Sequence, residues 1–309
     1  MKIHLGIGLV AASGIAILFS MSCARNHATK RSQKKTIVTT YAILGTIVTD
    51  LVGDNFDVTS SIPNGFDLHG WEPSAKDIET LTKADFIVEN GLCLEEGMRK
   101  ALIQARKVGV NVFTASDHIK IRRVRRGEGV SQDDPDQAVG AKDPHFWTDP
   151  ISVKAMVDAL ALRLNKQFGI DLSDRAANLN AKLLALDYEI KNKVSKIPTN
   201  KRKLVTGHES MGYFAQRYGF KLIGTIIPSL TTEAESSASS LRQLKHLIRQ
   251  HKVNAIFTEA GTPPKTTKAL AEETHVNTIP IATHSLPPNK SYFTFERELA
   301  DAIISGLNQ

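Results

Sequence analysis

The segment SDRAANLNAKLLALDYEIKNKVSK, Ser173–Lys196, decides how the rest of the chain is read. Ser173 is a candidate N-cap, and Leu179, Leu183, Leu186 and Ile190 recur at helical spacing. Neither Gly nor Pro interrupts the run, and Pro198 follows its end. One uninterrupted helix of 24 residues would be ~36 Å long. That is enough to bridge two lobes.

On both sides of this helix, short β-rich runs alternate with helical stretches. Before it, strands are expected at Thr36–Tyr41, Asp57–Ile62, Phe86–Asn90 and Asn111–Ala115, with helices near Ala42–Val52, Ser74–Lys83 and Leu94–Lys107. After it, strands are expected at Lys203–Thr206, Lys221–Ile227, Ala255–Thr258 and Thr278–Ala282. Helices follow at Met211–Tyr218, Ser237–Gln250, Thr266–Thr274 and Phe293–Ser305. Alternation of this kind gives parallel strands with helical crossovers. The expected fold is α/β: two lobes of parallel sheet flanked by helices, residues 36–172 and 198–309, joined by a linking helix at 173–197.

The 309 residues are 41% hydrophobic and 23% charged, a globular composition. Two cysteines, Cys23 and Cys93, are too few for a disulfide scaffold or a Cys-rich metal site. The net charge of +7 raises the question of nucleic acid, which the N-terminus answers. Residues 1–23 carry Lys2, an apolar stretch from Leu5 to Phe19, then the small residues Ser20, Ser22 and Cys23. This is the layout of a secretory signal, shorter than the ~20 apolar residues of a spanning helix. An extracytoplasmic location makes nucleic acid an unsuitable partner. Residues 24–35 form a basic tether, with five Lys or Arg between Arg25 and Lys35 and no acid. Arg122–Asp143 is basic at first, then acidic, and almost without apolar residues. It is expected to be a solvated loop, whose cluster at Lys120, Arg122, Arg123, Arg125 and Arg126 offers contact to an acidic partner.

Ten histidines are present, and most have ordinary surroundings. Four differ: His69, His145, His208 and His284 lie just beyond predicted strands or in short loops built like ligand loops. In open α/β sheets, ligands bind at the carboxyl ends of the strands. Two of the four belong to each half, which places a site in the cleft between lobes. Four imidazoles are also the right number for one tetrahedral shell.

These segments resemble the metal-receptor class of ABC-transporter substrate-binding proteins, which carries zinc, manganese and iron. Phe66–Asp77 is similar to the family's His-x-x-Glu-Pro-Ser motif, and Asp143–Pro150 to its Asp-Pro-His-x-Trp-x-Asp-Pro motif. Gly207–Phe214 resembles the segment in which a ligand precedes Gly-Tyr-Phe, and Ala255–Lys265 the strand that ends in Glu. The resemblance covers nearly the whole chain after the tether. It implies two lobes, a rigid connecting helix with small lobe movements, and one metal ion in the cleft. That ion would be delivered by a monomeric receptor to a membrane permease. His69, His145 and His208 fall on the first three ligand positions. The fourth is usually Asp, where this chain has His284-Ser285-Leu286. His284 is therefore the expected fourth ligand, with Glu259 and Glu209 as alternatives or as outer hydrogen-bond partners. Ser20-Met21-Ser22-Cys23 also resembles a bacterial lipobox, with Ser20 where Leu is preferred; ordinary cleavage after Ala24 is the alternative.

Imidazole suits zinc and iron, whereas carboxylates favour harder ions such as manganese. The donor set therefore leans toward zinc, with iron or manganese open. The His-rich loop of zinc-specific relatives is absent, because no histidine lies between Ile119 and Pro144. A secreted zinc hydrolase, with three His ligands and Glu209 as general base, is the competing function. A surface adhesin has no motif in its favour.

Overall fold

The computed structural model describes residues 1–2, 34–128, 139–288 and 291–308. The expected signal segment beyond Lys2, Cys23 and the tether as far as residue 33 lie outside the described residues, as does the middle of the Arg122–Asp143 segment. No helix among the described residues is long and apolar enough to cross a membrane.

The first half builds one parallel sheet in the order β2-β1-β3-β4, from β1 (Lys35–Tyr41), β2 (Phe56–Ile62), β3 (Phe86–Glu89) and β4 (Asn111–Thr114). Central β1 reads TIVTTY and is buried almost throughout, as expected for a parallel strand covered on both faces. The crossovers are α1 (Ala42–Val52), α2 (Ala75–Lys83) and α3 (Arg99–Lys107). α3 starts later than expected from Leu94. Gly91, Leu92 and Cys93 all have positive φ, and Glu95 turns back to accept the N–H groups of Asn90 and Gly91. That side chain holds the backbone out of a helical path. β5 (Lys203–Thr206) pairs in parallel with β6 (Lys221–Thr225), and β7 (Ala255–Thr258) with β8 (Asn277–Pro280). α6 (Gly212–Tyr218), α7 (Ala238–His251), α8 (Pro264–Thr274) and α9 (Tyr292–Leu307) complete the second half.

The long helix forms as α5 (Ser173–Ser195). Ser173 is its first residue rather than its cap: Asp171 Oδ1 accepts from the Ser173 N–H (2.9 Å) and hydroxyl (2.6 Å). A second long helix, α4 (Pro150–Phe168), packs against α5 and carries no expectation from the sequence pattern. α5 is thus paired with α4 and fastened along its length. At one end, Arg175 donates to the α1 carbonyls of Leu51 (2.6 Å) and Asp50 (2.9 Å), satisfying groups that a helix C-terminus leaves open. Further along, Asp187 takes a two-point contact from Arg217 of α6, and Glu189 one from Arg297 of α9.

The expected solvated loop at Arg122–Asp143 holds in part: Lys120, Arg123, Arg125 and Arg126 are exposed, whereas its two ends are anchored. Its two described arms pair antiparallel at Arg123 and Lys142. Val124 and Arg122 are buried. Arg122 is pinned by Asp143 (2.9 Å) and Glu128, and its N–H donates to the Tyr213 hydroxyl (2.8 Å). A charged sequence was compatible with burial because its charges find one another.

α5 shows one face to the core: Leu186 is fully buried, whereas Leu184 is 49% exposed. Leu186→Ala should cost about 2–5 kcal/mol in urea unfolding, and Leu184→Ala less than about 1 kcal/mol. Equal losses would contradict this packing.

Candidate metal centre

Each of the four histidines is positioned by a short local device. His69 lies in the loop between β2 and α2. Its N–H donates to Asp67 Oδ1 (3.0 Å), and the loop ends in a capping box in which Ser74 and Asp77 each accept the other's backbone N–H. In Asp143-Pro144-His145-Phe146-Trp147-Thr148-Asp149-Pro150, the two acids do different work. Asp143 Oδ1 accepts both the N–H and the ring Nδ1–H of His145 at 2.9 Å. Asp149 caps α4, with Pro150 in the first turn where no N–H is needed.

His208 follows β5. Its N–H (3.0 Å) and Nδ1–H (2.9 Å) both donate to Glu259 Oε1, at the end of β7. This approach requires a glycine at 207, because a Cβ there would collide with Thr262. The other oxygen of Glu259 accepts from the hydroxyls of Ser210 (2.8 Å) and Thr283. Thr283 brings in His284, and its carbonyl accepts from the indole N–H of Trp147 (2.8 Å). Two residues on, Asn64 clasps Leu286 through both backbone groups, at 2.6 and 2.7 Å.

The four rings converge. Each offers a nitrogen, and these atoms all lie within 4.8 Å of one another. His145 Nε2 stands 3.4 Å from that of His69 and 3.3 Å from that of His208. All four side chains are buried, and neither ring nitrogen of His284 has a hydrogen-bond partner. Such an arrangement is unfavourable when empty of charge compensation and natural around a cation. Burial, first, and the neighbouring imidazoles push His69 and His284 well below the ordinary imidazole range. Burial also lowers His145, against the pull of Asp143. Burial alone would raise Glu259, yet His208 and its other donors hold it well below the usual carboxylate range.

The carboxylates considered as ligands lie elsewhere. Glu259 bonds the far side of the His208 ring and is not among the four converging donors. Glu209, buried and pushed well above the carboxylate range by that burial, has Arg122, Asp143 and Glu128 as its charged neighbours. Glu209 is not among the four converging donors, and a fourth imidazole stands where a hydrolase would leave room for water. Asp143, Trp147, Thr283 and Asn64 were not singled out in the sequence. The Asp-x-His spacing was the one available signal, for Asp143.

The chain belongs to the ZnuA family, described as "Zinc-uptake complex component A periplasmic", whose pattern matches residues 37–306. It is accordingly an extracytoplasmic metal-binding protein of the ABC-transporter substrate-binding class, and not an enzyme. It is 29% identical to the manganese ABC transporter substrate-binding lipoprotein PsaA of Streptococcus pneumoniae, covering 98% of this chain and 99% of that one. The metal ABC transporter substrate-binding lipoprotein FimA of Streptococcus parasanguinis matches equally, at 29% over 98% and 99%. Among solved structures, the periplasmic zinc binding protein TroA from Treponema pallidum superposes with a TM-score of 0.74 at 26% identity, over 89% of this chain and 99% of that one. A manganese-bound serine-to-alanine variant of a periplasmic metal binding protein from Candidatus Liberibacter asiaticus gives 0.76 at 25% identity, over 89% and 100%.

The lowered imidazoles set the pH response. Three rings that already resist protonation compete weakly with a metal ion until the pH falls below the free-imidazole value of ~6.5. Affinity should be nearly level from pH 8 to about 6.5 and begin to fall only at a pH below that of free imidazole, as calorimetry will read. A steady fall beginning above pH 7 would mean that a ring is protonated in the neutral folded protein. In the metal-free protein the same histidines remove stability as pH drops below about 6.5, since the unfolded chain then binds more protons. The buried acids Glu209 and Glu296, raised by burial, act in the opposite direction.

Proposed function

We propose that His69, His145, His208 and His284 together capture one divalent transition-metal ion, zinc by preference, for delivery to a membrane ABC permease. The observation that carries this reading is the convergence of four buried imidazoles with no carboxylate among the converging donors. Neutral nitrogen donors match zinc, and iron next, better than manganese, which favours oxygen. The manganese in the names of several relatives makes this preference a specific claim about His284. Asp143 and Glu259, each bonded to the outer nitrogen of a ring, raise ligand basicity and offset the charge of the ion.

The receptor works as lobes 36–172 and 198–309 joined by 173–197, as a monomer. Because the linking helix is packed against both halves, capture needs only small displacements around it. Lipidation of Cys23 would hold it at the outer face of the membrane, where the permease lies.

The test is zinc and manganese titration of three proteins, with elemental analysis of the protein taken from its own cell envelope. The unaltered chain should hold one zinc ion and prefer zinc to manganese. His145→Ala should lose at least about a hundredfold in zinc affinity, since a removed donor leaves the shell open. His284→Asp should still bind, with its preference moved toward manganese by at least about tenfold. An unchanged ratio in His284→Asp would exclude His284 as a ligand. Native zinc affinity in His145→Ala would exclude His145.

A further inference from the structure

The second half carries an uncompensated basic surface at the end opposite to the histidines, where its strands begin. Lys201, Arg202 and Lys203 lead into β5, Lys221 opens β6, and Lys252 closes α7 in a left-handed turn. Hydrogen bonds hold these pieces together. The Lys221 N–H donates to the Arg202 carbonyl (2.8 Å), and Lys203 Nζ to the His251 carbonyl (2.6 Å). Arg202 Nε reaches back to the Ile197 carbonyl (3.0 Å), which brings Lys196 to the same end. None of the stretches 196–203, 218–221 and 249–254 contains Asp or Glu. Lys196, Lys201, Lys221 and Lys252 are exposed. Glu273, the acid that approaches α7, is occupied by Lys245. The surplus charge is felt locally: burial first, then Lys221 and Lys203, lower the pKa of His251.

We propose that this surface docks on anionic phospholipid headgroups of the membrane that holds the permease. Lys and Arg side chains close to such a surface add their attractions, which fade within a Debye length. The position of the patch supports this occupant. α5, with 23 residues, is ~34 Å long. One of its ends lies beside Leu51, near where β1 and β2 begin. The other end meets Arg202, whose guanidinium lies 3.4 Å from the Ser195 carbonyl. The patch thus stands at one end of the long helix, away from the histidines, where contact with a negatively charged surface leaves the cluster unobstructed. The receptor reading supplies only the membrane; the patch shares no residue with the histidine cluster.

The test is sedimentation of the full chain with vesicles of phosphatidylglycerol or of phosphatidylcholine, at low and high salt. The triple variant Lys201→Glu/Lys221→Glu/Lys252→Glu is compared with Arg99→Glu/Lys100→Glu/Lys107→Glu on α3. The N-terminal segment is common to all and cancels in the comparison. The unaltered chain should prefer phosphatidylglycerol, and added salt should remove the preference. The patch variant should bind those vesicles at least about tenfold more weakly, and the α3 variant should match the unaltered chain. Zinc affinity of the patch variant, unchanged, verifies its fold; should that variant misfold, Lys201→Gln/Lys221→Gln/Lys252→Gln replaces it. Equal binding by patch variant and unaltered chain overturns the proposal, and so does absence of a phosphatidylglycerol preference. Association with permease-containing membranes but not with lipid vesicles overturns it as well, in favour of a protein partner. Loss of metal binding by the unaltered chain would instead strike the receptor reading and leave the lipid result standing.

Discussion

Glu259 fixes the second half of the site, tying the His208 segment to the His284 segment. It is a buried carboxylate at the end of β7 that accepts hydrogen bonds from His208, Ser210 and Thr283. Four imidazoles in one dry space have no mutual reason to assemble, since each loses its hydration and gains only another ring. A fixed negative charge behind one of them changes that balance. It orients His208, draws in the hydroxyl of the residue before His284, and sets a negative charge behind the cluster of neutral rings. Asp143 does the same for His145, and is itself neutralised on its other oxygen by Arg122. The carboxylates of this site act from behind the rings rather than beside them.

Other hydrogen bonds cross from one half to the other. Trp147, in the motif that supplies His145, donates to the Thr283 carbonyl, and the Tyr292 hydroxyl of α9 donates to the Trp147 carbonyl. Asn64 holds Leu286, and Asp67 accepts from Thr232. The α4–α5 pair spans the molecule on a continuous core that includes residues from both halves.

Local features were legible in the sequence and distant ones were not. Most strands and helices lie within a few residues of their expected positions, because apolar periodicity reports them directly. The four histidines could be chosen because strand ends are where an α/β sheet binds ligands. α4 went unseen: Pro150 reads as a break and is in fact the first residue of a helix capped by Asp149. Burial of Arg122 was equally hidden, since its partners, Asp143 and Tyr213, are 21 and 91 residues away. The contact between Glu259 and His208 spans 51 residues, and only the folded chain brings them together.

The central claim is that four imidazoles, and no other donor, close around the ion. X-ray absorption at the zinc edge of the loaded protein measures this directly. The account predicts four nitrogen scatterers at about 2.0–2.1 Å, with the outer-ring signature of four imidazoles. Three imidazoles together with a carboxylate or water oxygen in that shell would contradict it.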